Sequence, residues 1–269
     1  MALKGWNSIE VEKTEALPKN SWALGYFHSS QENWDGKTWM RNLQELRLRD
    51  LALFALGDVR GKKILDIGCG SGEYMLTLAK MGGHVSGQDL SSECVNKALT
   101  VLKENGFGAD VKAGGATRLL FSDNYFDEVF SADFFEHITH EQKIKVISEA
   151  YRVLKPGGVF VIKTPNLEYL KVSLFLKKIV AVLKFKSPFN LYIAHTHHNP
   201  DTEHKGLTTY SELEKLLFNN MFHEPDVVYA SLIRKRLPMF ITKFLFGKKK
   251  FTEQIIITAR KPLFYGFYS

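Results

Sequence analysis

A chain of 269 residues that is 45% hydrophobic can bury one large core, while its two cysteines, Cys69 and Cys94, exclude a disulfide framework and point to a reducing, cytoplasmic setting. Residues 1–10 show no apolar stretch of the kind found in secretory signals, and no apolar run approaches the roughly 20 residues of a spanning helix. The net charge of +7 is unevenly spread: residues 1–166 hold 20 Lys+Arg against 21 Asp+Glu, and residues 167–269 hold 16 against 8. The whole positive excess therefore lies in the C-terminal part, where it would suit a membrane surface, an acidic substrate or nucleic acid.

Residues 1–36 are polar and aromatic, and residues 1–60 are expected to form an N-terminal cap with a helix over about Lys37–Leu56. Residues 61–269 are expected to form the main domain. Strands and helices then alternate: strand Lys63–Ile67, helix Gly72–Met81, strand His84–Gln88, and helix Ser92–Asn105 with Ser91 as N-cap. Strands Asp110–Ala113 and Phe126–Ser131 follow. A helix over Glu141–Leu154 is expected to stop at Pro156-Gly157-Gly158, ahead of strand Val159–Lys163. After Asn166 the alternation breaks for about 40 residues, too long for an ordinary connection. Helix Thr208–Asn220 and strands Asp226–Ala230 and Glu253–Ala259 close the pattern, with insertions at about 167–204 and 231–251. The fold class is α/β: a doubly wound, mostly parallel, seven-stranded sheet. Such sheets bind ligands beyond the C-terminal ends of their strands, near the switch in strand order.

The run Ile64-Leu65-Asp66-Ile67-Gly68-Cys69-Gly70-Ser71-Gly72 reads as a buried strand ending in a glycine turn against a nucleotide-like ligand. Its third glycine comes one residue earlier than in the dinucleotide fingerprint, where position six would be glycine; here it is Glu73. That spacing argues against a dinucleotide oxidoreductase and leaves room for a ligand to lie on the loop. Asp89, seventeen residues after Gly72, ends the next strand, where a carboxylate can accept both hydroxyls of a ribose.

These features, in this order, resemble the class I S-adenosylmethionine-dependent methyltransferases of small-molecule type, including ubiquinone-pathway O-methyltransferases. The match is carried by Ile64–Gly72, by Val85–Ser91, by Phe126–Val129 followed by Phe135-Glu136-His137-Ile138, and by Val153–Gly158. The resemblance implies a Rossmann-like methyltransferase fold and S-adenosyl-L-methionine as cofactor. It places cofactor contacts at Asp66, Gly68, Cys69, Gly70, Gly72, Asp89, Leu90, Gly115, Ala116, Ser131 and Asp133. One departure stands out. Family members often carry Gly-Asp-Ala after the third strand, the acid meeting the adenine amino group; here the run is Gly114-Gly115-Ala116. Backbone groups at Gly115 and Ala116 would then have to read the base.

On the acceptor side, His137 follows the fourth strand, and His204 lies in a segment that resembles the loop bordering the acceptor pocket; both are candidate general bases. Asn166 and His198 are candidate substrate contacts. The group His195, His197, His198 and His204 matches no standard metal-ligand spacing, so no metal is assigned. Residues 171–186 alternate lysines with apolar residues, and 234–251 repeat the basic and aromatic theme. Both suit peripheral membrane contact or a lid over a greasy acceptor. Nucleic acid is disfavoured, since no Pro-Pro-aromatic element follows the fourth strand. The function read from the sequence is methyl transfer to an oxygen or nitrogen of a small-molecule acceptor, lipid-linked, quinone-like or sugar. The competing readings are a non-catalytic adaptor on the same fold and an RNA or protein methyltransferase.

Overall fold

The computed structural model describes residues 52, 53, 55–189, 191, 193, 205–230 and 254–263. Among these, seven strands and five helices alternate as the pattern requires. They are β1 (Lys63–Ile67), α1 (Glu73–Lys80), β2 (His84–Asp89), α2 (Ser92–Glu104), β3 (Asp110–Ala113), β4 (Phe126–Ala132), α3 (His140–Val153), β5 (Leu154–Pro165), α4 (Leu167–Leu183), α5 (Tyr210–Asn219), β6 (His223–Ala230) and β7 (Gln254–Arg260). The sheet order is β3-β2-β1-β4-β5-β7-β6. The first five strands are parallel, and β7 runs antiparallel to both its neighbours, β5 and β6. The order reverses between β1 and β4, so the switch point lies directly above the glycine run.

Strand alternation sorts the apolar side chains onto two faces. Leu65, Ile67, Val129, Phe160, Ile162 and Ile257 face α3 and α5, packing on Val146, Ile147, Leu213 and Leu217. Ile64, Phe130, Val161 and Ile256 face the other way, onto Met75, Leu78 and Leu102. Leu53, Leu56 and Val59 join that second cluster, so the segment just before β1 is part of the core. The rest of residues 1–51, like 194–204 and 231–253, lies outside the described residues.

Helix starts follow side-chain chemistry. Ser91 accepts from the Cys94 N–H and caps α2. Thr139 and Gln142 form a reciprocal capping box on α3, and Thr209 caps α5. Each such cap contributes about 1 kcal/mol.

One expectation fails. Pro156-Gly157-Gly158 does not separate a helix from a strand: α3 ends at Val153, and β5 starts at once and runs for 12 residues to Pro165. The pairing explains this. Phe126 pairs with Leu154 and Glu128 with Val159, so the register slips there and the Pro-Gly-Gly run sits in a bulge. A bulge absorbs the N–H that proline lacks. Gly157 adopts φ 81°, its N–H donates to the Lys261 carbonyl, and Lys261 N–H donates back to Gly158.

The long break after Asn166 opens with α4, 17 residues long and capped by the Asn166 side chain. Among the described residues no helix is long and apolar enough to cross a membrane.

Candidate cofactor and acceptor site

The glycine turn beyond β1 is held by geometry that only glycine supplies. Gly68 has φ 73°, and a Cβ there would stand 2.5 Å from the Phe134 ring. Gly72 has φ 83°, and its Cβ would stand 2.9 Å from the Ala98 side chain. The third glycine is therefore required by the close approach of α2, a reason the sequence reading did not give. A Cβ at Gly70 would meet nothing within 4 Å, so open space lies there instead. Cys69 turns into the core beside Met75, and burial, then the charges of Asp66 and Asp89, push its thiol well above the usual range. Its side chain is therefore inert packing; any cofactor contact at this position would use the backbone. Asp66 is buried at the end of β1.

The end of β2 joins two loops. Asp89 accepts from Gly70 N–H at 2.9 Å through one carboxylate oxygen and from Ser91 N–H at 2.9 Å through the other. Its carbonyl accepts from Gly114 N–H. Asp89 therefore holds the glycine turn through its carboxylate and the loop after β3 through its main chain. Leu90, beside it, is 81% exposed, an apolar surface at the edge of the cleft. A Cβ at Gly115 would meet nothing within 4 Å, so this loop also borders open space. Gln88, which the sequence reading passed over, is 1% exposed and hydrogen-bonded to that loop through its side chain. Its signal was an amide at a buried position of a short strand, immediately before the acid.

Beyond β4 and β5 the site is built from buried side chains. Ser131 is fully buried and donates to the Ile67 carbonyl at 3.0 Å, which spends its hydroxyl on tying β4 to β1. Asp133 adopts φ 53° and is ion-paired with Lys163, whose ammonium donates to both carboxylate oxygens. Both were read as cofactor contacts; the structure engages one in the sheet and the other with a buried lysine. Glu136, in the 3-10 turn Phe135–His137, is 2% exposed and accepts from the Thr164 hydroxyl at 2.9 Å. Burial raises its carboxyl above the usual range, and the Asp133 charge adds to that. His137, the last residue of that turn, is exposed on the rim.

The returning chain docks beside this turn. Gly206 N–H donates to the Glu136 carbonyl at 2.9 Å, and a Cβ on Gly206 would collide with the Ile138 carbonyl. The buried Lys143 ammonium donates to the Gly206 carbonyl. Asn166, read as a substrate contact, is 1% exposed, and its side-chain oxygen caps α4 by accepting from Glu168 N–H at 3.1 Å. Residues Asn166 and Thr208 bridge the two chain segments. His198 and His204 lie outside the described residues. Among the described residues no cluster of three or more His, Cys, Asp or Glu is placed to hold a metal. Lys143, Lys163 and Gly206, and the bond from Thr164 to Glu136, escaped the sequence reading because the partners lie about 30 or more residues apart.

Known proteins share this fold. A family model for a methyltransferase domain matches residues 64–158. The chain is 32% identical over 179 residues to the ubiquinone/menaquinone biosynthesis C-methyltransferase UbiE of Cupriavidus metallidurans, covering 65% of this chain and 71% of that protein. It is 34% identical over 107 residues to the ubiquinone biosynthesis O-methyltransferase of Maricaulis maris, 39% of this chain and 41% of that one. A crystal structure of a SAM-dependent methyltransferase from Methanosarcina mazei has a TM-score of 0.57 at 26% identity, over 79% of this chain and 97% of that one. Identity at this level across most of a relative, joined to a sheet whose last strand is inserted antiparallel, means that the chain belongs to the class I S-adenosylmethionine-dependent methyltransferases.

Proposed function

We propose that this enzyme methylates an oxygen or nitrogen of a small-molecule acceptor, lipid-linked, quinone-like or sugar. The observation that carries the reading is the docking of Gly206 against the turn that bears His137. It brings the chain leaving the histidine-rich segment to the end of β4, two residues after His204. The cofactor, when bound, supplies a methyl group already activated on a sulfonium. The residues fit it: Asp89 offers a carboxylate and holds two loops that border open space, and Leu90 offers apolar surface for a base. Gly68, Gly70 and Asp66 would hold the methionine end, and Gly115 and Ala116 the adenine. The protein then has to position the acceptor, exclude water and take up a proton. Positioning can supply roughly 7–11 kcal/mol of a barrier. His204 or His137 as base would add on the order of 10²–10⁴-fold for a hydroxyl acceptor. In this reading the N-terminal aromatic segment and the insertion at 167–204 would cover the site.

The UbiE relative, a C-methyltransferase by name, supports a second reading with a carbon acceptor. A labelled-methyl assay against a cell extract separated into lipids, polar metabolites, RNA and protein tests both. Label in a lipid or metabolite fraction, lost in His204→Ala or His137→Ala, is expected. Label confined to RNA or protein overturns the small-molecule reading, and a product methyl whose 13C NMR shift is that of a carbon-bound methyl, not an O- or N-methyl, selects carbon.

Peripheral membrane contact through 171–186 and 234–251 belongs to the same proposal. On α4, Phe175 is 63% and Leu183 73% exposed, with Ile179 and Val182 between them and Lys171 and Lys178 alongside. Apolar side chains bordered by lysines match an anionic lipid surface. Flotation with vesicles containing anionic lipid, but not with purely zwitterionic ones, is expected; no flotation with either removes this part.

A further inference from the structure

Gln88 touches both loops that frame the cleft. Its backbone carbonyl accepts from Gly68 N–H at 2.8 Å and from Cys69 N–H at 3.3 Å, on the glycine-turn side. Its side chain works on the opposite side. The amide nitrogen donates to the Gly115 and Arg118 carbonyls, both at 3.1 Å, and the amide oxygen accepts from Leu120 N–H at 2.9 Å. Both amide protons and the oxygen are therefore engaged, and the group is buried, where hydrogen bonds are strongest and unpaired groups cost most.

Those three bonds dictate which way the turn faces. Arg118 N–H closes it by donating to the Gly115 carbonyl, and a single amide group spans its two ends. The peptide bonds here are trans. In a planar trans peptide the carbonyl and the next N–H point in opposite directions. With the Gly115 carbonyl drawn inward to Gln88, the Ala116 N–H points outward. Beside it, Gly115 borders space in which a Cβ would meet no atom.

We propose that Gln88 is the positioning residue for adenine recognition, its buried carboxamide orienting the Gly115–Leu120 turn so that the backbone N–H of Ala116 addresses the base where no carboxylate follows β3. This rests on S-adenosylmethionine being the cofactor and states how this chain holds its adenine end. Leucine at position 88 keeps the bulk and removes all three bonds. Glutamate keeps the acceptor and, when ionised, lacks both donors.

Calorimetry with S-adenosylhomocysteine and with adenosine, on the full-length protein, tests it. Gln88→Leu is expected to weaken both ligands by the same factor, on the order of tenfold or more for the loss of buried hydrogen bonds. In the ligand-free protein, amide exchange should rise at 115–120 and not at 68–70. Gln88→Glu should lose affinity as pH rises and its carboxyl ionises, with a slope that the wild type lacks. That variant also serves if Gln88→Leu does not fold. Wild-type protein that binds no S-adenosylhomocysteine removes the cofactor reading itself. Wild type that binds, with both variants within twofold of it at every pH, overturns the role of Gln88 alone. A loss seen for S-adenosylhomocysteine but not for adenosine places the effect at the glycine turn and also overturns it.

Discussion

The two ends of the site are built from different materials. The cofactor end is held by backbone: Gly68, Cys69, Gly70, Gly114, Gly115 and Leu120 are all fixed by hydrogen bonds to Gln88 and Asp89. The acceptor end is held by buried ionisable side chains: Lys163 on Asp133, Glu136 on Thr164, and Lys143 on the Gly206 carbonyl. Apart from the Asp89 carboxylate no ionisable group holds these backbone segments, and closely packed backbone tolerates few substitutions, so this end suits a constant ligand. Buried charges are costly, and they respond to pH and to small changes nearby. They suit a surface that must fit one acceptor.

Four changes would break or sharpen this division. The largest effect is expected for Asp89→Ala, which removes the acceptor of two backbone N–H groups and the carboxylate facing the cleft. S-adenosylhomocysteine should bind about 100-fold more weakly, as expected for hydrogen bonds to a charged group; calorimetry reads this. Next comes Lys143→Ala, which leaves the Gly206 carbonyl unpaired and should cost about 1–3 kcal/mol in urea unfolding. Its affinity for S-adenosylhomocysteine should not change. Weakening there comparable to Asp89→Ala would end the separation of the two regions. Ser131→Ala removes the bond to the Ile67 carbonyl, with an expected loss of about 1 kcal/mol and no change in cofactor affinity. A marked fall in affinity would return Ser131 to the cofactor site.

The smallest effect concerns pH. Burial raises the Glu136 carboxyl above its unfolded value of 4.5. Below that value the carboxyl is protonated in both folded and unfolded states. As pH rises from there through the raised folded value, the unfolded chain has already released its proton while the native state still holds it, so stability falls. Glu136→Gln lacks this term. Wild type and variant should converge in acid and separate with rising pH, the variant the more stable, in denaturant titrations across pH. A constant offset at every pH would show that Glu136 acts only through its hydrogen bond to Thr164.

The division also explains what could be read without the structure. The glycine turn, Asp89 and the alternation of strands and helices from β1 to β5 were legible because their signals are local. A strand, a turn and an acid sit within about 25 residues, and alternation reports the rest. Asn166 was legible as a boundary, but its cap on Glu168 N–H was not, since in sequence it looks like any other asparagine. Gly72 was identified, but its reason was not: Ala98 on α2 fills the space. Ser131 and Asp133 were read as cofactor contacts from their place at the end of β4; Ser131 donates to the Ile67 carbonyl inside the sheet, and Asp133, exposed at the strand end, is paired with Lys163.

The amino-acid sequence by itself determined the fold class through periodicity and glycine spacing, and its resemblance to a known family supplied the methyl donor and the departure at Gly115, because these signals are properties of short stretches. Only the tertiary structure decided which polar groups serve the site and which serve the scaffold. Gln88 joins Leu120, Lys143 joins Gly206 and Lys163 joins Asp133 across 30 or more residues. A buried polar group must find its partner wherever the folded chain brings one.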